Sequence, residues 1–464
     1  MMRRIILTIS LIVFTASISF AQYSDNVRSL SMGKTGTANS YNIDALNLNP
    51  ANLSLFKPGD KTRVYLNGMT TGGYLMNTKF LSVNFYNKYF TGDGNGNGKY
   101  LSEADKKDIL AKAKDSDFGL SLGYKFASVV FKIPGAGVAG FSIEDKIFSN
   151  GFIPNDLLQL SLFGNEVNKT YDFSSYQMEV SWVRQLNFSY GNSSKSFMNG
   201  LFENFSYGVA VKPQMGYYYL GVNKNNLNFH TNDSNQITSR GSVSFLSSSI
   251  TNNDKIEYPA LGKLAGFGMG FDIGINGKIN ENWSLGLAVI DIGYMNWYRN
   301  VYEYKYEGDF VITDLAKKEQ LDTLRSLLER KKVSVSGFQK SLPTTLRFGL
   351  TYKIFKGGSK VKGDSLTKEF ANINLDVIQG LVKNTAGTTT KPVVGLGAEF
   401  FISDFFIPRI GFIGGGAEEF VVSMGVGMDT KYVAVDIGTH NIGALADLNN
   451  TSKISGGLNI KIKL

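Results

Sequence analysis

Few residues in this chain could do covalent chemistry. There are two histidines in 464 residues and no cysteine. His230 lies in a polar run, NFHTND, and His440 in GTHNIG. Nucleophilic hydrolysis needs a nucleophile and a base in a fixed relation, and no serine motif stands in such a relation to either histidine. There is no Walker loop and no pair of zinc ligands. The glycines of Gly266-x-Gly-x-Gly alternate with apolar residues and precede no helix, so they are not a dinucleotide fingerprint. An enzyme is therefore not expected, and both histidines read as structural or solvent-exposed. One run has ligand-type spacing, TGDGNGNGKYLSEADKKDILAKAK at 91–114. Asp93, Asn95, Asn97 and Gly98 match the opening of a calcium loop, which ends on a carboxylate at its twelfth position. That position is Ala104, flanked by Glu103 and Asp105, and 78–89 reads as a strand where an entering helix belongs. The plainer reading is a Gly/Asn hairpin loop. Calcium at Asp93, Asn95 and Asn97 is the only cofactor candidate.

The elements that would carry such groups follow from composition and period. Residues 1–21 have a basic start, Arg3 and Arg4, an apolar run and a small-x-small ending at Ala21, which is the pattern of a secretory signal peptide. Beyond it no apolar run reaches the roughly 18 residues of a membrane-spanning helix. Mean hydropathy is −0.09. Aromatics make up 13% of the chain and glycines number 51, a pairing that suits a membrane barrel with aromatic girdles. The absence of cysteine excludes a disulfide framework. The net charge of +9 comes without a dense basic run interleaved with aromatics, so nucleic acid is not an expected partner.

Period-2 alternation is the dominant pattern. In 266–276, Phe267, Met269, Phe271, Ile273 and Ile275 share one face, and glycines, Asp272 and Asn276 share the other. The same alternation recurs in 118–126, 205–212, 346–354, 394–402 and 420–428. A strand that is apolar outside and small or polar inside is what a lipid-facing barrel wall requires. The last run, 458–464, sets Leu458, Ile460 and Ile462 against Asn459, Lys461 and Lys463. A lysine on the lipid face at mid-depth costs about 2–4 kcal/mol, so these lysines are expected to face the lumen. Two runs break the pattern and read as short helices outside the membrane: the one beginning at Ser102, and 314–332, with Leu321, Leu324 and Leu328 on one face.

One stretch is of a different kind. Residues 31–55, SMGKTGTANSYNIDALNLNPANLSL, are rich in Gly, Ala, Ser, Thr and Asn and have no sustained period. Asn49-Pro50 fixes a turn, and the asparagines can satisfy buried backbone groups through short side-chain bonds. A tightly turned polar plug of this sort belongs inside a wide pore. The signal peptide, then Gly33, Gly36 and Ala38, then Asp44, Ala45, Leu46, Asn49, Pro50, Ala51 and Leu53, resembles the start of the FadL-like outer-membrane barrels, which include long-chain fatty-acid transporters and PorV-type barrels. Residues 282–297 and 341–353 resemble later strands of the same group. The resemblance implies an all-β, transmembrane antiparallel barrel of about fourteen strands. Its domains would be a signal peptide (1–21), a hatch in the lumen (22–60) and the barrel (61–464). Asp44, Asn47, Asn49, Pro50 and Ala51 would line the hatch and ligand pathway. The implied function is passive passage of hydrophobic or amphipathic small molecules across the outer membrane. The alternative is a docking barrel for a secretion or surface-assembly partner. The expected partners are outer-membrane lipid, a small hydrophobic ligand and a protein held at the loops.

Overall fold

The computed structural model describes residues 26–56, 62–92, 99–195, 200–234, 236–251, 262–307, 310–312, 332–356, 369–383, 389–403, 405–416 and 419–464. Fourteen long strands form the wall: β1 (Val64–Thr78), β2 (Ser116–Ile133), β3 (Gly137–Ile153), β4 (Gln177–Ser194), β5 (Asn204–Asn225), β6 (Gly266–Lys278), β7 (Trp283–Trp297), β8 (Thr345–Phe355), β9 (Glu369–Gly380), β10 (Val393–Phe400), β11 (Phe406–Gly415), β12 (Glu419–Asp429), β13 (Val433–Thr439) and β14 (Lys453–Lys463). Each pairs antiparallel with its sequence neighbours, and β1 pairs with both β2 and β14. The sheet thus closes on itself and leaves no edge, which a chain in lipid requires because hydrocarbon cannot satisfy unpaired backbone groups.

The alternation read from the sequence is the division between outside and lumen. Phe267, Phe271, Ile273 and Ile275 of β6 are exposed on the outer wall, while Asp272 and Asn276 are buried within. Lys461 and Lys463 of β14 both bond acidic groups, Asp44 and Asp429 respectively. One charged pair sits on the other face. Arg184 of β4 shares the outward side with Phe188, which is half exposed. Its guanidinium grips Asp145 of β3 at 2.6 and 2.9 Å. Trp182 Nε1 also donates to Asp145, and the rings of Phe126 and Tyr217 lie 4.8 and 5.4 Å from the guanidinium carbon. Bidentate pairing and the aromatic cover let this pair persist on an apolar wall. Register shifts at Phe126 in the β2–β3 pairing and at Tyr217 in the β4–β5 pairing fall beside it, and bulges of that kind re-aim side chains.

The two ends of the barrel differ. At one end several links are tight turns, at 134–136, 279–282 and 430–432. Gly135 there has φ +74°, which the tight turn needs. At the other end the links after β1, β3, β5 and β7 are long, and their described residues include helices and further strands. Strands 242–249, 302–307, 332–334 and 338–341 extend the wall above β5 and β7, and a separate four-stranded sheet joins 170–172, 228–231, 237–240 and 310–312.

Several expectations change here. Residues 83–89 are a helix, Val83–Tyr89, and not part of a strand. Ser82 caps it by accepting from Phe85 N, and Phe85 and Tyr89 bury one side. Alternation failed because the apolar residues of this short piece fit either period. The helix expected from Ser102 is Glu103–Ala113, with a full capping box between Ser102 and Asp105. A further helix is Asn155–Phe163. Of the helix expected at 314–332, residues 314–331 lie outside the described residues, and Lys332 begins a short strand.

Candidate functional site

Residues 26–56 lie inside the barrel, nearer the end with the short links. They are held by caps and turns rather than by regular structure. Asn26 caps a one-turn helix, Val27–Leu30, by accepting from Ser29 N at 2.8 Å. Asn49 caps Pro50–Ser54, with Pro50 at its first turn. Gly33 has φ +67°, and Lys34, Asn42 and Asn47 share that left-handed region. Gly33, Lys34 and Asn42 are buried.

The wall touches this hatch on every side. An apolar group joins Ile43, Ala45, Leu46 and Leu53 to Tyr65 of β1, Val130 of β2 and Val138 of β3. Elsewhere the contact is glycine against backbone. A Cβ on Gly208 of β5 would strike the Pro50–Ala51 peptide, one on Gly286 of β7 the Thr37–Ala38 peptide, and one on Gly395 of β10 the Gly33 carbonyl. The lumen-facing glycines therefore make room for the plug, a reason for their number that alternation alone did not supply.

Polar contacts complete the seal. Arg28 Nε donates to Glu399 Oε2 at 3.0 Å and its Nη2 also bonds Glu399. Arg409 reaches the same carboxylate at 3.3 Å and Asp436 at 2.6 Å. Lys461 joins Asp436 at 2.9 Å to Asp44 at 2.5 Å. A single chain of alternating charge, Arg28–Glu399–Arg409–Asp436–Lys461–Asp44, thus runs from hatch to wall and back to hatch, every member buried. Asp376 accepts from Thr37 N at 3.0 Å and Thr37 Oγ1 at 2.6 Å, and Arg347 bonds Thr37 Oγ1 and the Lys34 carbonyl.

The residues singled out from the sequence fall as follows. Asp44 ends the charge chain. Asn47 donates to Glu144 at 2.8 Å and accepts from Gln185 and Asn187. Asn49 donates to the carbonyls of Thr37 and Ile275. Pro50 and Ala51 lie under Gly191 and Gly208. Asp93, Asn95 and Asn97 lie outside the described residues. The two histidines are apart in role: His230 Nδ1 is 3.0 Å from Thr170 Oγ1 in the outer sheet, whereas His440 is buried beside the hatch, where burial and then the Lys34 ammonium push its imidazole well below its ordinary value. Among the described residues no group of three or more His, Asp and Glu is placed to hold a metal.

Sequence reading missed Arg28, Glu399, Arg409 and Asp436. A signal existed for Glu399, which stands among glycines on the small side of its strand, where a charge must face the lumen.

Two cavities lie in the lumen, the first of them against the hatch. One, of about 580 Å³, opens between Tyr41 and Asn42 of the hatch and strands β11 to β14, with Tyr65, Met428, Tyr432 and Lys463 on its lining. The other, of about 50 Å³, lies towards the long links, between Gln185, Gln214, Tyr219 and Trp297. Above it the lumen is filled by Tyr219, Met295, Trp297 and Leu342, with Phe338 packed against them.

The Asp44–Lys461 contact sets an expected result. Asp44→Asn leaves Lys461 with Asp436 alone and weakens the hatch by about 1–3 kcal/mol. Amide hydrogen exchange across 42–53 should speed up accordingly, whereas unchanged exchange would show that the pair does not anchor the hatch.

No curated protein matches this chain. Among solved structures it is similar to the toluene transporter TbuX of Ralstonia pickettii, at 13% identity over 95% of this chain and 97% of that one, with a TM-score of 0.41. It is likewise similar to the toluene transporter TodX of P. putida, at 12% identity over 95% and 96% with a TM-score of 0.42. A FadL homologue of Pseudomonas aeruginosa matches at 10% identity over 97% and 99%, with a TM-score of 0.42. These likenesses fix no residue's role. A family model described as a family of unknown function matches residues 56–390, which is well over half of the chain and stops short of the hatch core and the last five strands. The protein therefore belongs to the family of unknown function DUF5723.

Proposed function

We propose that this barrel resides in the outer membrane, exported by residues 1–21, and passes hydrophobic or amphipathic small molecules when its hatch shifts. The observation that carries this reading is the 580 Å³ cavity at the hatch margin, where Tyr41 and Asn42 face β11 to β14. The hatch there is held by ion pairs and hydrogen bonds, which can be exchanged for others, beside the small apolar group that Ile43, Ala45 and Leu46 form with Tyr65, Val130 and Val138. A ligand entering from the long-link end would leave through this margin once 41–47 moved. Asp44, Asn47, Asn49, Pro50 and Ala51 would then line the path.

A second reading is a docking barrel that carries a protein at its long links. The aromatic filling above the hatch, Tyr219, Trp297 and Phe338, favours it, as do the extra strands at that end. One experiment separates the two. Vesicles containing the purified barrel are loaded with a lipophilic dye, and release is compared with vesicles lacking protein. Transport predicts release at least about tenfold faster, abolished by a disulfide engineered between hatch and wall. Release at the protein-free rate, together with a stoichiometric protein recovered in a native pull-down, would replace transport by docking.

A further inference from the structure

The helix Val83–Tyr89 is apolar on two sides. On one side Phe85 and Tyr89 turn inwards and form a buried group with Ile109 of the helix Glu103–Ala113. On the other, Val83, Tyr86 and Phe90 follow at spacings of three and four, which makes one stripe. These three are 38–40% exposed, and the rings of Tyr86 and Phe90 stack at 6.1 Å. A helix whose inner side is packed and whose outer side meets water carries polar residues outside. Here the outer side is apolar as well.

The stripe does not stand alone. Asn84 N donates to the Asn449 carbonyl at 2.9 Å and Asn84 Nδ2 to Asn450 Oδ1 at 2.7 Å. Thr78 N, at the end of β1, donates to the Ser452 carbonyl at 2.9 Å. These bonds set the helix against the β13–β14 link, whose Leu445 and Leu448 are 73% and 54% exposed. The two strands that this link joins are apolar outwards, with Ile437 of β13 and Ile460 and Ile462 of β14 exposed on the wall. Apolar surface therefore continues from the wall onto the rim at the long-link end. Lys79 and Lys88 border it, both exposed, and 79–90 contains no acidic residue.

We propose that this rim patch is an interfacial anchor. Val83, Tyr86, Phe90, Leu445 and Leu448 enter the outer-leaflet lipid at the boundary of headgroups and acyl chains, and Lys79 and Lys88 reach its phosphates. The anchor presupposes that the barrel lies in the outer membrane. The apolar face of an interfacial helix sinks about 5–10 Å, a depth that suits the apolar ring and polar tip of Tyr86. Lysines at such a border lay their stems along apolar surface and keep the ammonium among the headgroups. Lipid is the occupant, and not a protein, because the patch is continuous with a wall whose apolar residues face lipid. The anchor pins the helix pair sideways, at the seam where β1 meets β14.

The test uses the full chain reconstituted in vesicles of phosphatidylethanolamine and phosphatidylglycerol. The chain has no cysteine, so Tyr86→Cys, Leu448→Cys, Ile273→Cys and Ser175→Cys each carry one environment-sensitive fluorophore. Ile273 reports the wall, and Ser175 an exposed turn of another long link. Lipid bearing a nitroxide near its headgroup should quench the labels at 86 and 448 at least about twofold more than the label at 175, as an interfacial depth requires. Aqueous iodide should show the reverse order. Val83→Asp together with Phe90→Asp should return the label at 448 to iodide. Iodide quenching at 86 and 448 equal to that at 175, with 273 still quenched by lipid, would overturn the anchor and leave the barrel in its membrane. No lipid quenching at 273 either would sink the membrane placement too. Labels at 86 and 448 shielded from both quenchers would show a protein on the patch and replace lipid as its occupant. A label at 448 that stays in lipid beside the two aspartates would also overturn the role given to the helix.

Discussion

Replacing Gly286 and Gly395 together by valine should expel the hatch from a barrel that still forms. At Gly286 the new Cβ meets the Thr37–Ala38 peptide, and at Gly395 it meets the Gly33 carbonyl and Thr35. Both obstacles are largely backbone, which has no rotamer through which to yield. Overpacking costs about 1–3 kcal/mol per site in an ordinary core, and here the two sites press on opposite parts of one small plug with little regular structure. The barrel's own strand pairing is untouched by either change, so relief comes from displacement of 31–40. Conductance in planar bilayers should rise at least about tenfold, and 26–56 should become cleavable by protease from the short-link side. Gly414→Val and Gly456→Val provide the control, since nothing lies within 4 Å of a Cβ at either. Parent-like conductance and a protected hatch in the double variant would show that the glycine contacts do not seat the plug.

The second large effect is expected at Glu399. Its carboxylate is fully buried and faces two guanidiniums, those of Arg28 and Arg409, as well as Asn372 Nδ2 at 3.1 Å. Glu399→Gln preserves the shape and removes the charge between them. Breaking a buried pair by removing one partner costs about 3–5 kcal/mol, because the remaining charge stays desolvated. Arg409 keeps Asp436, so most of the loss falls on Arg28 and hence on the hatch. Arg28→Met should therefore recover much of the cost in the Glu399→Gln background while being damaging alone, a coupling that a double-mutant cycle on thermal unfolding measures. Additive losses would mean that Arg28 and Glu399 hold the hatch separately.

The Asp44→Asn exchange experiment probes the other end of the same charge chain. Because the chain runs continuously through Arg409, Asp436 and Lys461, its two ends are expected to weaken each other's hold when both are cut.

Much of this molecule can be read without coordinates. Alternation alone assigned Phe267, Phe271 and Ile273 to the outer wall and Lys461 and Lys463 to the lumen, because strand period is fixed by backbone geometry and the cost of a charge in lipid is steep. The composition of 31–55, short polar side chains with Gly and Pro, marked a plug before its position was known. Tertiary structure decided the rest. The charge chain links residues as far apart as Arg28 and Glu399 or Asp44 and Lys461, and no local pattern records which carboxylate meets which cation once a sheet has closed. The helix at 83–89 and the outward Arg184–Asp145 pair follow the same logic. Each contradicts its local pattern and persists because neighbours brought from elsewhere, Ile109 in one case and Phe126 with Tyr217 in the other, supply the burial that its own segment lacks.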